Sequence, residues 1–176
     1  MNWQKIVGGL VAVVVVWAAV WLLMLFMAAP DQQMLRMHGK FITALEQRKW
    51  GTVDALVSKD YNDGVQDAAT VKASMRKVLA GFYVLSITPE VVSAKAVPSQ
   101  GGKIWLGMVS TKLKVEGNGA GISAIVVSES RRMTKPWIFH WHKRGFWPWS
   151  WELMQIHNDG LLIPDGALEM LGTGEK

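Results

Sequence analysis

From Ile6 to Ala29 the chain reads IVGGLVAVVVVWAAVWLLMLFMAA, twenty-four residues without a charge. The run is apolar on every side rather than along one stripe, which suits lipid better than one face of a core. A helix that crosses a bilayer needs about 20 mostly apolar residues, so this stretch predicts a transmembrane helix with length left for tilt. Beyond Pro30 the pattern turns amphipathic. In DQQMLRMHGKFITALEQRKW, Met34, Met37, Phe41 and Leu45 recur at helical spacing, Leu35 and Ile42 widen the stripe, and Asp31 is placed to cap. Trp50-Gly51 is expected to end that helix, and Thr52 to cap a short one, VDALVS. Asp60-Tyr61-Asn62-Asp63-Gly64 has turn chemistry. A third amphipathic helix is predicted from Ala68 to Ala80, with Val71, Met75, Val78 and Leu79 on one side and Gly81 at its end.

At Phe82 the period changes to that of strands. Tyr83 to Val97 is rich in β-branched residues, with Pro89 marking a bulge or a sheet edge. Pro98 to Gly102 reads as a turn, Lys103 to Glu116 as a second strand, and Gly117-Asn118-Gly119 as another turn. Ile122 to His142 is expected as a third, bent strand, and Trp149 to His157 as a fourth. Three helices followed by four antiparallel strands define an α+β class, with the helices on one face of a curved sheet. The domain bounds that follow are a tail at 1–5, a transmembrane helix at 6–29, an α+β domain at 31–158 and a partly docked tail at 159–176. Leu161, Leu162, Ile163, Leu168, Met170 and Leu171 are too apolar for a free tail.

A retained anchor, starting from Met1, is expected rather than a cleaved signal. The run exceeds a secretory apolar region of about 7–15 residues, and the one small-residue cleavage site, Met27-Ala28-Ala29, is followed at once by Pro30. The Lys and Arg bias across the segment is close to a tie, but so short a leading tail has the form of a bacterial signal anchor. The domain is therefore expected on the periplasmic side of an inner membrane. Within the anchor, Gly8 and Ala12 sit four apart, as in close helix packing, and Trp17 and Trp21 share a face.

Composition sharpens this picture in two respects. The net charge of +5 is modest, and the chain has no cysteine. Ten tryptophans in 176 residues is a high content, and five of them fall between positions 137 and 151. If Trp141 pairs with Trp149, then Trp137, Phe139, Trp141, Trp149, Trp151 and Leu153 share the inner face while His140, Ser150 and Glu152 face out. This register buries six large apolar groups and no charge.

The chemistry-bearing residues are few. No phosphate loop, zinc spacing or nucleophile elbow occurs. His140 and His142 share a strand face as metal ligands can, but a third ligand is needed. In a simple hairpin His157 would fall opposite residue 133, roughly 23 Å from His140 at about 3.3 Å per residue, which leaves only His38 on the first helix. No metal and no cofactor are expected. Arg131, Arg132, Lys135, Lys143 and Arg144 interleave with aromatics as in single-strand binders, but a bilayer tether argues against nucleic acid. The hairpin tip Lys143-Arg144-Gly145-Phe146-Trp147-Pro148 sets two large aromatics beside two cations, where a free turn would be polar. Lys143, Arg144, Phe146 and Trp147 are therefore expected to dock on the bilayer or on a membrane partner.

The helix, then FITALEQRKWGTVDALVSKDY, then a helix and a long-stranded meander resembles the nuclear transport factor 2-like superfamily, over residues 34–158. Phe41, Ala44, Leu45, Trp50-Gly51, Asp54, Leu56 and Asp60 carry the resemblance. It implies a cone-shaped domain whose enzymes place a carboxylate base or a His–Asp pair inside, sometimes with tyrosine donors. Here the strands offer only Glu129, Glu152 and Tyr83 for such roles. A membrane anchor on such a domain is similar in architecture to periplasmic components of type IV secretion systems. The expected function is a non-catalytic accessory or assembly subunit of a membrane complex, with the bilayer and other subunits as partners. The alternative is a membrane-tethered enzyme or small-molecule binder using the cone interior.

Overall fold

The computed structural model describes residues 3–99, 102 and 104–160, without the side chains of residues 3–9 and 25. The docked tail expected at 159–176 lies outside the described residues from position 161 onward. So do Gln100 and Gly101 of the expected turn, and the first two residues of the leading tail.

The helical stripe after Pro30 forms α2, Pro30–Glu46. Pro30 occupies the first helical position, where its missing N–H is no loss, and Ala29 rather than Asp31 is the N-cap. Met34, Phe41, Ile42 and Ala44 on this helix are buried, and they face a four-stranded antiparallel sheet in the order β1-β2-β3-β4. The strands are β1 (Phe82–Pro98), β2 (Trp105–Gly119), β3 (Trp137–Lys143) and β4 (Trp151–His157). The other helices are α1 (Trp3–Met27), α3 (Trp50–Leu56), which packs on α2, α4 (Ala68–Ala80) and α5 (Ile122–Arg132), which packs on β2.

Both sheet edges are managed by neighbouring segments. On the β1 edge, the Asp31 carboxylate at the start of α2 accepts from the Ala96 N–H at 2.6 Å. Glu46 at the end of α2 accepts from the Ile87 N–H at 3.3 Å. One helix thus runs antiparallel to the free strand and satisfies two of its unpaired donors with its terminal carboxylates. At the β4 edge, Ser58 N–H donates to Leu153 C=O at 2.9 Å and Asn62 N–H to Met154 C=O at 3.0 Å. Pro89 sits on the edge strand as expected, with a register irregularity nearby between Val91 and Ser93.

Four local expectations are corrected. Residues 122–132 form the helix α5 and not the first half of a strand. Ser123, Val126, Val127 and Ser130 recur at helical spacing. Ser123 is buried and donates to Val78 C=O at 2.7 Å, while Val126 and Val127 pack on Leu79, Phe82 and Val115. This tertiary fit overrides the β-branched composition. Gly117-Asn118-Gly119 is not a turn but the paired end of β2, and the chain reverses at Ala120-Gly121. Trp50 starts α3 instead of ending α2, Lys49 and not Thr52 being the N-cap, because α2 stops at Glu46 and Arg48 adopts a left-handed conformation. The β3–β4 register differs too. Trp141 pairs with Leu153 and Lys143 with Trp151, an offset of four residues from the expected pairing. An even offset preserves faces, so Phe139, Trp141, Trp151 and Leu153 point inward as expected, but Trp149 drops out of the strand and is exposed.

Among the described residues no helix is long and apolar enough to cross a membrane. Side chains of α1 are described without a break only from Leu10 to Met24.

The core is a layer of α2 on aromatic β3 and β4, with Gly107 of β2 at the closest approach. A Cβ there would strike the Met34 sulfur and meet Trp151 Cζ3 at 3.0 Å. Gly107→Ala should therefore cost about 1–3 kcal/mol by overpacking, and less than additively when combined with Met34→Ala. Trp141→Ala, which removes a ring only 1% exposed, should cost about 3–5 kcal/mol. Denaturant titration followed by tryptophan fluorescence measures both. A Trp141→Ala midpoint equal to that of the parent chain would contradict this assignment of the core.

Candidate functional site

The interior of the sheet's concave face is where a site would sit in such an architecture. Phe139 and Trp141 reach it from β3, Trp151 and Leu153 from β4, Thr111 from β2, and His38 and Phe41 from α2. The rings interlock edge to face. His38 lies 4.6 Å from Phe139 and 6.1 Å from Trp141, and Phe41 lies 6.4 Å and 6.1 Å from the same two. Neither of two surface concavities reaches this interior, one being lined by α1 and the other by Tyr83, Gly117, Gly119 and Arg131.

His38 is the polar centre of the interior. Its Nε2 is 3.0 Å from Thr111 Oγ1, while its Nδ1 has no partner. The indole Nε1 groups of Trp141 and Trp151 are likewise buried without partners. Burial lowers the His38 pKa from 6.5 to about 4, so the ring is neutral at physiological pH. The polar residues buried with it are Gln33, Ser58, Thr111 and Ser123, so no carboxylate among the described residues shares the interior to make an acid–base pair. Glu152 faces out and pairs with Arg144 at 3.3 Å, Glu129 pairs with Arg132 at 3.4 Å on α5, and Tyr83 is exposed. His38 received weight from sequence only as a remote metal ligand. The signal for a core role was its place between Met34 and Phe41 on the apolar stripe.

On the outer face, the expected separation of His140 and His157 is overturned. The four-residue offset in register and the one-residue irregularity between His140 and Trp141 together bring His157 opposite Ile138, and the His140 and His157 rings stack with centroids 5.3 Å apart. Burial, then the neighbouring His157, lowers the His140 pKa, and burial, then Arg144, lowers that of His142. Among the described residues no group of three or more His, Asp or Glu is placed to hold a metal ion.

The β3–β4 tip divides into two parts. Its cations are engaged within the chain. Lys143 Nζ donates to Gln33 Oε1 at 2.7 Å, and Gln33 in turn donates to Ala28 C=O at 2.8 Å. Arg144 binds Asp60 and Glu152. The picture of two cations free to reach lipid phosphate is therefore corrected. The aromatics are exposed, Phe146 at 80% and Trp147 at 51%, and Trp147 stacks on Trp149 with centroids 5.0 Å apart. Phe26 at the end of α1 meets the cluster, 5.4 Å from Phe146 and 5.5 Å from Trp147. Of the α1 packing residues expected from sequence, the side chain of Gly8 lies outside the described residues. Ala12 and Trp17 line a shallow concavity with Val13, Val16 and Val20, and Trp21 is exposed.

No family model and no curated protein matches the chain. Among solved structures the chain is similar to Bd1075 of Bdellovibrio bacteriovorus, at 8% identity and TM-score 0.48, covering 72% of this chain and only 39% of that one. It is similar to an NTF2-like protein of unknown function from Pseudomonas putida, at 9% identity and TM-score 0.47, covering 78% and 90%. It is also similar to ActVI-ORFA from Streptomyces coelicolor, at 11% identity and TM-score 0.49, covering 74% and 97%.

The neutral, buried His38 makes stability pH-dependent in a defined direction. The unfolded chain takes up a proton below 6.5, and the folded chain does not until about 4. Stability contributed by the neutral ring is thus complete above 6.5 and is lost as pH falls to about 4, a drop of about 3 kcal/mol. Urea unfolding of the detergent-solubilised chain at several pH values checks this. His38→Leu should flatten the slope, and an unchanged slope in that variant would refute the assignment.

Proposed function

We propose that the chain is a single-pass membrane protein carrying a nuclear transport factor 2-like domain, and that this domain is a non-catalytic accessory or assembly subunit of a membrane complex. One observation carries the second half. The space that an enzyme of this architecture needs for substrate is occupied by Phe41, Phe139, Trp141, Trp151 and Leu153, all buried. Interiors packed to this extent leave recognition to surfaces. The anchor reading is supported by the uncharged run from Ile6 to Ala29, twenty-four residues where a span needs about 20. The side chains along its middle, such as Val13 and Trp17, find no protein cover.

A second reading, a membrane-tethered binder or enzyme, is favoured by one feature only. The buried His38 Nδ1, Trp141 Nε1 and Trp151 Nε1 are three donors or acceptors that a small polar guest could satisfy.

Extraction from native membranes in mild detergent, followed by native mass spectrometry, separates the two. The expected result is a chain of full mass that retains the Ile6–Ala29 run and co-purifies stoichiometrically with other membrane subunits. A mature N-terminus near Pro30 would refute the anchor. A lone chain carrying a small molecule, released by Trp151→Ala, would refute the scaffold role.

A further inference from the structure

Three chain segments meet at one end of the sheet. β1 leaves it at Pro98 and β2 enters it at Trp105, with Ser99 N–H donating to Ile104 C=O at 2.7 Å. Trp105 is the Cα partner of Lys143, so the β3–β4 tip projects from the same end. α1 arrives there as well, because Phe26 packs on Phe146, Trp147 and Trp149. Val97, Ile104, Phe146, Trp147 and Trp149 are all exposed at this end, and Met27 beside them is 76% exposed. Through Phe26 the apolar surface of α1 continues onto this patch.

A patch of this composition differs from an electrostatic membrane-binding surface. Among the described residues, Lys143 is held by Gln33, and Arg144 by Asp60 and Glu152, so these two cations are tied inward or neutralised. The geometry points to the lipid–water interface as the occupant: the end of the domain formed by Val97, Ile104, Phe146, Trp147 and Trp149 lies in the headgroup layer around the exit of α1, held there by ring burial and not by basic residues. This deepens the anchor reading and rests on it. Indole and phenyl rings favour headgroup depth because one edge is apolar and, for tryptophan, one edge donates a hydrogen bond. A lipid occupant is favoured over a protein because the patch is continuous with α1, whose end at Phe26 sets it at the bilayer boundary. The ion pairs of Arg144 serve a separate purpose. They tie the tip to the loop at Asp60 and fix its projection from the sheet.

The absence of cysteine makes the test direct. Single cysteines are introduced into the full chain at Val14, Ile104 and Ala124, spin-labelled, and reconstituted into vesicles of zwitterionic phosphatidylcholine alone. Collision with oxygen and with a water-soluble nickel chelate then reports depth. The label at Val14 should read hydrocarbon, that at Ile104 headgroup depth, and that at Ala124, exposed on α5 at the opposite end, water. Adding Phe146→Ser and Trp147→Ser should move the Ile104 label toward water and leave Val14 unchanged. High salt or added anionic lipid should alter none of these readings. If Val14 reads water, the anchor itself is wrong and this inference falls with it. If Val14 reads hydrocarbon but Ile104 matches Ala124, the domain stands clear of the bilayer and only this inference is overturned. An Ile104 reading that appears only with anionic lipid and is lost in salt would assign the contact to charge and overturn it equally.

Discussion

The packing of α2 across β1 and β2 onto the rings of β3 and β4 is the contact on which the remaining structure depends. Met34 and Phe41 carry the apolar surface, and Gly107 lets the helix approach because it has no Cβ to hold Met34 away. The ends of the same helix are fixed by carboxylates on β1 backbone donors nine residues apart along the strand, Ala96 at one end and Ile87 at the other. A helix pinned at both ends and in the middle cannot slide or roll without losing a buried contact, so the position of each inward ring is set by it. The loop after α3 then closes the opposite edge by running beside β4. Four strands would otherwise present two open edges, a shape that invites pairing with other chains.

Consequences for chemistry follow from that packing. A helix set so close to the sheet fills the interior with side chains, and the polar group admitted there, His38, is held neutral by burial. A neutral imidazole with one partner, Thr111, and no carboxylate beside it lacks the charge pairing that would raise its basicity toward neutrality. The hydrogen bond to Thr111 orients the ring and removes one desolvation cost, which is a structural role. The same packing also links the domain to α1. Gln33 near the start of α2 holds both Lys143 at the base of the tip and the Ala28 carbonyl between the two helices.

Much of this was legible from residue spacing. The stripe of α2, the strand pattern from Phe82, and the inward set Phe139, Trp141, Trp151 and Leu153 all follow from periods of 3.6 and 2. The inward set survived an error in register because the error was even. What was not legible depended on contacts between segments distant in sequence. Ile122 to Arg132 carries β-branched residues and reads as strand, but Ser123 finds Val78 and the valines find Leu79 and Phe82 only once α4 and β2 are in place. The true β3–β4 register is likewise invisible in a count of residues, and its four-residue offset, with the one-residue irregularity at His140, converts an expected separation of roughly 23 Å at about 3.3 Å per residue into a stacked pair of rings. Arg144 looked unpaired because only its chain neighbours were weighed, whereas its partner Asp60 comes from a loop 84 residues earlier.

The two halves of the functional reading constrain one another. A domain whose interior is filled must recognise its partners with its outer surface, and the charges best placed to do so at the tip are already satisfied within the chain. What remains unsatisfied there is aromatic area. In water, rings the size of Phe146 and Trp147 left exposed forgo about 1.5–3 kcal/mol apiece relative to full burial, and in a chain of independent origin from any membrane this would invite association. With the proposed anchor, the same exposure beside Phe26 has a ready environment, because the end of α1 would place those rings within reach of headgroups without any translational cost to be met a second time. The proposed tether would turn weak individual ring contacts into a definite orientation of the domain. In that orientation the sheet end bearing Ile104 and Phe146 faces the bilayer, and the end bearing α5, with Arg131 and Arg132 in its last turn, faces away from it.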